Sequence, residues 1–131
     1  MKRIILLFVF ISMTFSLCAC AGNVKNAKTH EVPSELYTED DINAAIETIK
    51  EEFTDWHGCT LTEIYYAGDD TSRAEQAYRK SADEVLVLLS SFDVDWTGYD
   101  GSFNPNSTYG GWKWILVRQA GGRWQHVDHG Y

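Results

Sequence analysis

Three groups of residues have types and spacings that could carry chemistry. The first is Asp93-Val94-Asp95-Trp96-Thr97-Gly98-Tyr99-Asp100-Gly101. Asp93, Asp95 and Thr97 fall at the first, third and fifth places of a calcium loop, with Gly98 at the sixth and Asp100 adding a further carboxylate. Asn104, at the twelfth place, cannot supply the bidentate carboxylate, and no helical pattern flanks the run. A loop that uses Asp and Gly for their backbone conformations is therefore the stronger reading, with calcium as the alternative.

The second group is His126-Val127-Asp128-His129. On a helix, His126 and His129 would share a face and could hold a metal; on a strand they point apart and His126 shares a face with Asp128. The surrounding pattern favours a strand, which predicts a His126–Asp128 pair. Such a pair can move protons near neutral pH, or can simply close a strand end by hydrogen bonding. No Gly-x-Ser-x-Gly occurs and Cys59 has no assignable partner, so no nucleophile is identifiable and no cofactor is expected.

The third group is an excess of rings: Trp96, Tyr99, Phe103, Tyr109, Trp112 and Trp114. Exposed rings beside Asp and Asn suit carbohydrate faces or peptides, which makes Trp96, Tyr99, Trp112 and Trp114 candidate ligand contacts. The competing reading is that these rings fill the concave side of a sheet.

The elements that must position these groups follow from periodicity. Thr38 is a good N-cap, Asp41 completes an approximate capping box, and Ile42, Ala45, Ile46, Ile49 and Phe53 form one apolar stripe. This predicts a helix ending between Asp55 and Gly58. Cys59–Tyr66 reads as a strand, and Thr71–Ala82 as a second, weaker helix on the surface. Val85–Phe92 reads as a strand covered on both faces. Residues 95–108 form a long loop. Two aromatic, β-branched runs around Gly121-Gly122 then predict a terminal hairpin that carries three of the five tryptophans. A three-residue turn would place Trp112, Trp114 and Leu116 on one face with Trp124 and His126, whereas a two-residue Gly121-Gly122 turn would place Trp124 and His126 with Ile115 and Val117, and the sequence leaves both open.

The expected fold class is α+β: an N-terminal helix packed on a curved antiparallel sheet of about four strands, with a second short helix. The element order, and the closing Arg123-Trp124-Gln125-His126-Val127, resemble the cystatin-like or NTF2-like class.

The N-terminus has a basic start, Lys2-Arg3, an apolar run from Ile4 to Phe15, and then Leu17-Cys18-Ala19-Cys20. This last segment resembles the lipobox of bacterial lipoproteins at each motif position. The resemblance implies a signal peptide over 1–19, cleavage before Cys20, and diacylation of its sulfur. Two acyl chains suffice for stable anchoring, at ~0.8 kcal/mol per buried methylene. Residues 20–34, polar and without apolar period, read as a flexible tether, and 35–131 as a single domain. The mature segment from Tyr37 is also similar to uncharacterised lipoproteins of Gram-positive anaerobes. The similarity rests on Gly58-Cys59-Thr60-Leu61-Thr62-Glu63, Asp100-Gly101-Ser102, Asn104–Tyr109 and His126–Tyr131, and it implies class and location only.

Loss of Lys2 and Arg3, with no acid before Cys20, takes the net charge from −8 to −10. So acidic a surface is unsuited to nucleic acid or anionic headgroups. Of the three cysteines, Cys18 is removed and Cys20 lipidated in this reading. That leaves Cys59 alone, as a small buried residue without a disulfide. The function expected is a non-catalytic binding or accessory module on the extracytoplasmic face of the cell membrane, toward an envelope protein or carbohydrate. The alternatives are a small enzyme with a cavity site using His126 and Asp128, and an inhibitor or protective protein.

Overall fold

The computed structural model describes residues 21–131. The signal peptide over 1–19 and the lipidation of Cys20 that the sequence leads one to expect lie outside the described residues.

The chain forms helix α1 (Glu39–Phe53), strand β1 (Cys59–Tyr66), a short helix α2 (Asp69–Ala74) followed by a 3-10 turn (Gln76–Arg79), and strands β2 (Glu84–Val94), β3 (Ser107–Arg118) and β4 (Gln125–Gly130). The strands make one antiparallel meander, ordered β1-β2-β3-β4. This is the α+β arrangement that periodicity predicts.

α1 begins where the capping pattern says. The Asp41 amide donates to the Thr38 hydroxyl at 3.1 Å, and the Thr38 amide donates to the Asp41 carboxylate at 3.0 Å. Ala45, Ile46, Ile49 and Phe53 are buried and face the sheet. They meet Leu61, Ile64, Tyr66, Leu86, Leu88, Phe92, Trp114, Leu116 and Trp124 in the main core. At the start of α1, Arg118 pairs with Asp41 (3.1 Å) and Glu84 (2.5 Å). The Trp124 indole N–H donates to the Asp41 carbonyl at 3.0 Å, so the terminal hairpin is fastened to the helix.

Strand alternation sends Val85, Val87, Ile115 and Val117 to the other face, where Ala67, Tyr78 and Ala82 cover them. The second helix is shorter than its pattern predicts. It starts at Asp69 rather than Thr71 and breaks at Glu75 into the 3-10 turn. Its thin stripe of alanines gives little burial to hold a longer helix.

The largest departure from expectation is the stretch read as a tether, and it also means that α1 is not the first ordered piece of the chain. Residues 21–34 form an arm along β1. Asn23 bridges Thr60 and Lys28 bridges Glu63 in parallel sense. The Asn23 amide donates to the Cys59 carbonyl (2.9 Å), and the Leu61 amide to the Asn23 carbonyl (2.8 Å). The Lys28 amide donates to the Thr62 carbonyl (3.0 Å), and the Ile64 amide to the Lys28 carbonyl (2.9 Å). Val24, Ala27 and Val32 pack on the main core.

The arm is held at both ends. The Gly22 amide donates to the Thr54 carbonyl at 2.9 Å, where a Cβ would lie 2.0 Å from the Phe53 oxygen. At the other end, the Ser34 hydroxyl (2.6 Å) and the Glu35 amide (2.7 Å) donate to Asp69. The arm covers the edge of β1 that would otherwise offer unpaired backbone groups.

Candidate functional site

β4 decides what the histidines can do. Leu116 pairs with His126, Ile115 with Asp128 and Trp114 with His129, so one extra residue, Val127, is inserted opposite the step from Ile115 to Leu116. Such a bulge reverses the alternation beyond it. His126 and His129 therefore lie together on the helix side, and Asp128 points to the opposite face. The expected His126–Asp128 side-chain pair is corrected on this ground.

Asp128 accepts instead from the Tyr78 hydroxyl at 2.5 Å. That bond and the His129 amide hold its carboxyl below the usual carboxylate range.

On the helix side a chain of titratable groups forms. Glu52, in the last turn of α1, lies 2.5 Å from Nδ1 of His126. Nε2 of His126 is 3.1 Å from Nδ1 of His129 and 3.1 Å from the Asp128 carbonyl. Because the Asp128 carbonyl can only accept, a hydrogen bond to it requires Nε2–H of His126, and Nδ1 of His129 then faces that N–H as an acceptor. Burial, and then the charge of His126, lower the pKa of His129, with Asp128 and Glu52 opposing. The geometry can pass or share a proton between carboxylate and two imidazoles. Among the described residues, no three His, Cys, Asp or Glu side chains gather as a metal site.

The space beside these histidines is filled. Trp56, just past the end of α1, turns inward and packs on Trp114 (5.0 Å between ring centres), His129 (5.3 Å), Phe53 (5.4 Å), Phe103 (5.5 Å), Phe92 (5.6 Å) and Tyr99 (5.8 Å). Trp112 joins the cluster and stacks on His129 at 5.8 Å; its buried indole N–H has no hydrogen-bond partner among the described residues. The rings thus form a plug between α1, the sheet and the loop before β3.

The four proposed ligand-contact residues do not make one surface. Trp114 is fully buried and donates to the Ser90 hydroxyl at 2.7 Å. Tyr99 and Trp112 are packed in the plug. Only Trp96 stands out, 77% exposed.

The carboxylates of the Asp93–Asp100 loop are likewise dispersed. Asp93 accepts from the Thr108 hydroxyl across the β2–β3 pair. Asp95 accepts from the amide and hydroxyl of Thr97, and Asp100 from those of Ser102. Asp95 and Asp100 each cap their own turn, which is the use the turn reading predicts. Cys59 is buried, and burial followed by the charge of Asp95 pushes its thiol up to about 11, as in an inert cysteine.

Periodicity passed over two features. One is Trp56, which lies in a turn and so belongs to no stripe. The other is a groove of about 740 Å³ between the arm and the first half of α1. Val32, Pro33, Tyr37, Ile42 and Ile46 line it, with His30, Glu31, Glu39 and Asn43 among its polar groups. That size and mixture suit a small ligand or a short peptide. The groove depends on the arm being in place, so a stretch read as a tether gave no sign of it.

No family model, curated protein or solved structure matches the chain.

Proposed function

We propose that this chain is an exported lipoprotein, anchored through Cys20 on the extracytoplasmic face of the cell membrane, whose cystatin-like or NTF2-like domain is a non-catalytic binding or accessory module. The observation that carries the binding reading is the division of space around α1. The end near His126 is packed with rings, while the groove beside the arm is open and large enough for a ligand. The full lipobox match at Leu17-Cys18-Ala19-Cys20 carries the anchor. An envelope protein or a carbohydrate is the ligand class, and the acidic surface disfavours nucleic acid.

Two experiments test this. Cys20→Ser should move the protein from the membrane to the soluble fraction and abolish palmitate labelling; labelling that persists contradicts the anchor. Immobilised protein should retain an envelope protein or a cell-wall glycan, and Ile42→Arg in the groove should cut retention at least tenfold. Retention of neither, or retention indifferent to Ile42→Arg, counts against the groove.

The Glu52–His126–His129 chain favours a second reading, a small enzyme that uses His126 as a general base. Any hydrolytic activity in that case should fall at least a hundredfold in His126→Gln. An activity that survives the substitution excludes His126 as its base.

A further inference from the structure

The docked arm constrains how the domain meets a membrane. Resting on the anchor at Cys20 proposed above, we infer that the domain lies with one end directly against the bilayer and that Trp96 enters its headgroup layer. Cys20 and Gly22 are two residues apart, so their Cα atoms are separated by at most ~7 Å. Gly22 is bonded to the Thr54 carbonyl and has no space for even a methyl group beside the Phe53 oxygen. No flexible spacer remains between the acyl chains and the folded unit.

The end of the domain at Gly22 is defined by the contacts around it. It comprises residues 54–58 after α1, the start of β1 and the end of β2. Cys59 pairs with Val94, and the Asp95 amide donates to the Gly58 carbonyl at 2.9 Å. The turn that carries Trp96 is fixed to this end. Asp95 takes the amide and hydroxyl of Thr97, its carbonyl accepts from the Asn106 amide at 2.9 Å, and its carboxylate sits against Gly58. Trp96 is therefore a large, exposed amphipathic ring carried by a hydrogen-bonded turn at the Gly22 end of the domain, and tryptophan is a residue enriched at membrane interfaces.

Charge does not explain this docking. Asp55, Asp95 and Asp100 are exposed at this end, residues 54–58 and 95–106 contain no Lys or Arg, and exposed Lys25 in the arm is outnumbered by these acids. Anionic lipid should repel the surface, so lipid and Trp96 must hold it. The groove, at the opposite end of α1, would face away from the membrane and stay open to a ligand.

The test uses the full chain made in a host that lipidates it, purified and reconstituted in phosphatidylcholine vesicles containing a lipid spin-labelled near the headgroup. Mass spectrometry first reads the lipid on Cys20; an unmodified Cys20 overturns the lipoprotein reading and this inference together. With Cys20 lipidated, tryptophan fluorescence should be quenched, and Trp96→Phe should lower the quenched fraction at least twofold. In the Trp96→Phe background, Arg123→Trp, in the turn at the far end, should restore no quenching. Equal quenching with and without Trp96, or quenching restored by Arg123→Trp, overturns the orientation and leaves the anchor intact.

Discussion

At its C-terminal end α1 runs into Trp56 and a layer of packed rings; at its N-terminal end it walls an open groove. The same helix supplies both, and the difference lies in what each end meets. Past Phe53 the chain must turn sharply back into β1, and Trp56 is the residue carried inward by that turn. Before Thr38 the chain arrives along β1 and is drawn away from the helix by Asp69, which leaves the groove between them. Aromatic surplus thus marks the part of this molecule that is already full. Mixed, unremarkable composition marks the part with room for a ligand.

Substitutions can break this contrast in order of effect. Trp56→Ala should cost the most, about 3–5 kcal/mol, because the ring touches the core on several sides. Chemical denaturation measures that loss. Gly22→Val should cost about 1–3 kcal/mol, because the added side chain meets the backbone at Phe53 and lifts the start of the arm. Denaturation midpoints report it, and an unchanged midpoint would mean that Gly22 is not wedged there.

Asp69→Asn should come next, with a lower midpoint at neutral pH and a flatter dependence of stability on pH. Burial would raise the Asp69 carboxyl, but hydrogen bonds from Ser34, Tyr66 and the Glu35 and Leu36 amides outweigh it and hold the pKa at about 2. Its stabilisation is present above the unfolded carboxylate pKa and is lost as pH falls through the folded value. The native protein should therefore lose about 1–2 kcal/mol between roughly pH 4 and pH 2 that the variant lacks. Equal slopes in that window would remove Asp69 as the clamp.

The smallest effect is at His129. Its lowered pKa makes the neutral form the favoured one, so stability should fall as pH drops through the unfolded histidine range. An NMR titration should place His129 below free histidine and move it upward in His126→Gln; an unshifted His129 would contradict the contact.

What was legible in the chain follows the same division. The α1 stripe and its cap could be read because spacing at three and four, with Thr38 and Asp41 at its head, has one structural solution. The face shared by Trp114, Leu116, Trp124 and His126 followed from a turn longer than two residues, and six residues separate β3 from β4. The position of His129 could not be read, since a single bulged residue at Val127 leaves no mark in composition and reverses every face after it. Nor could the arm, whose attachment to β1 runs through backbone groups that any sequence carries.

The groove exists only while that arm is docked on β1. Amide hydrogen exchange on the protein at neutral pH tests it directly, at Asn23, Lys28, Leu61 and Ile64, the four amides that join arm and strand. Protection at these sites approaching that of the β2–β3 amides is the result expected of a built-in edge. Exchange at unstructured rates at Asn23 and Lys28, with Leu61 and Ile64 equally unprotected, would return residues 21–34 to a tether and remove both the groove and the basis of the proposed membrane orientation.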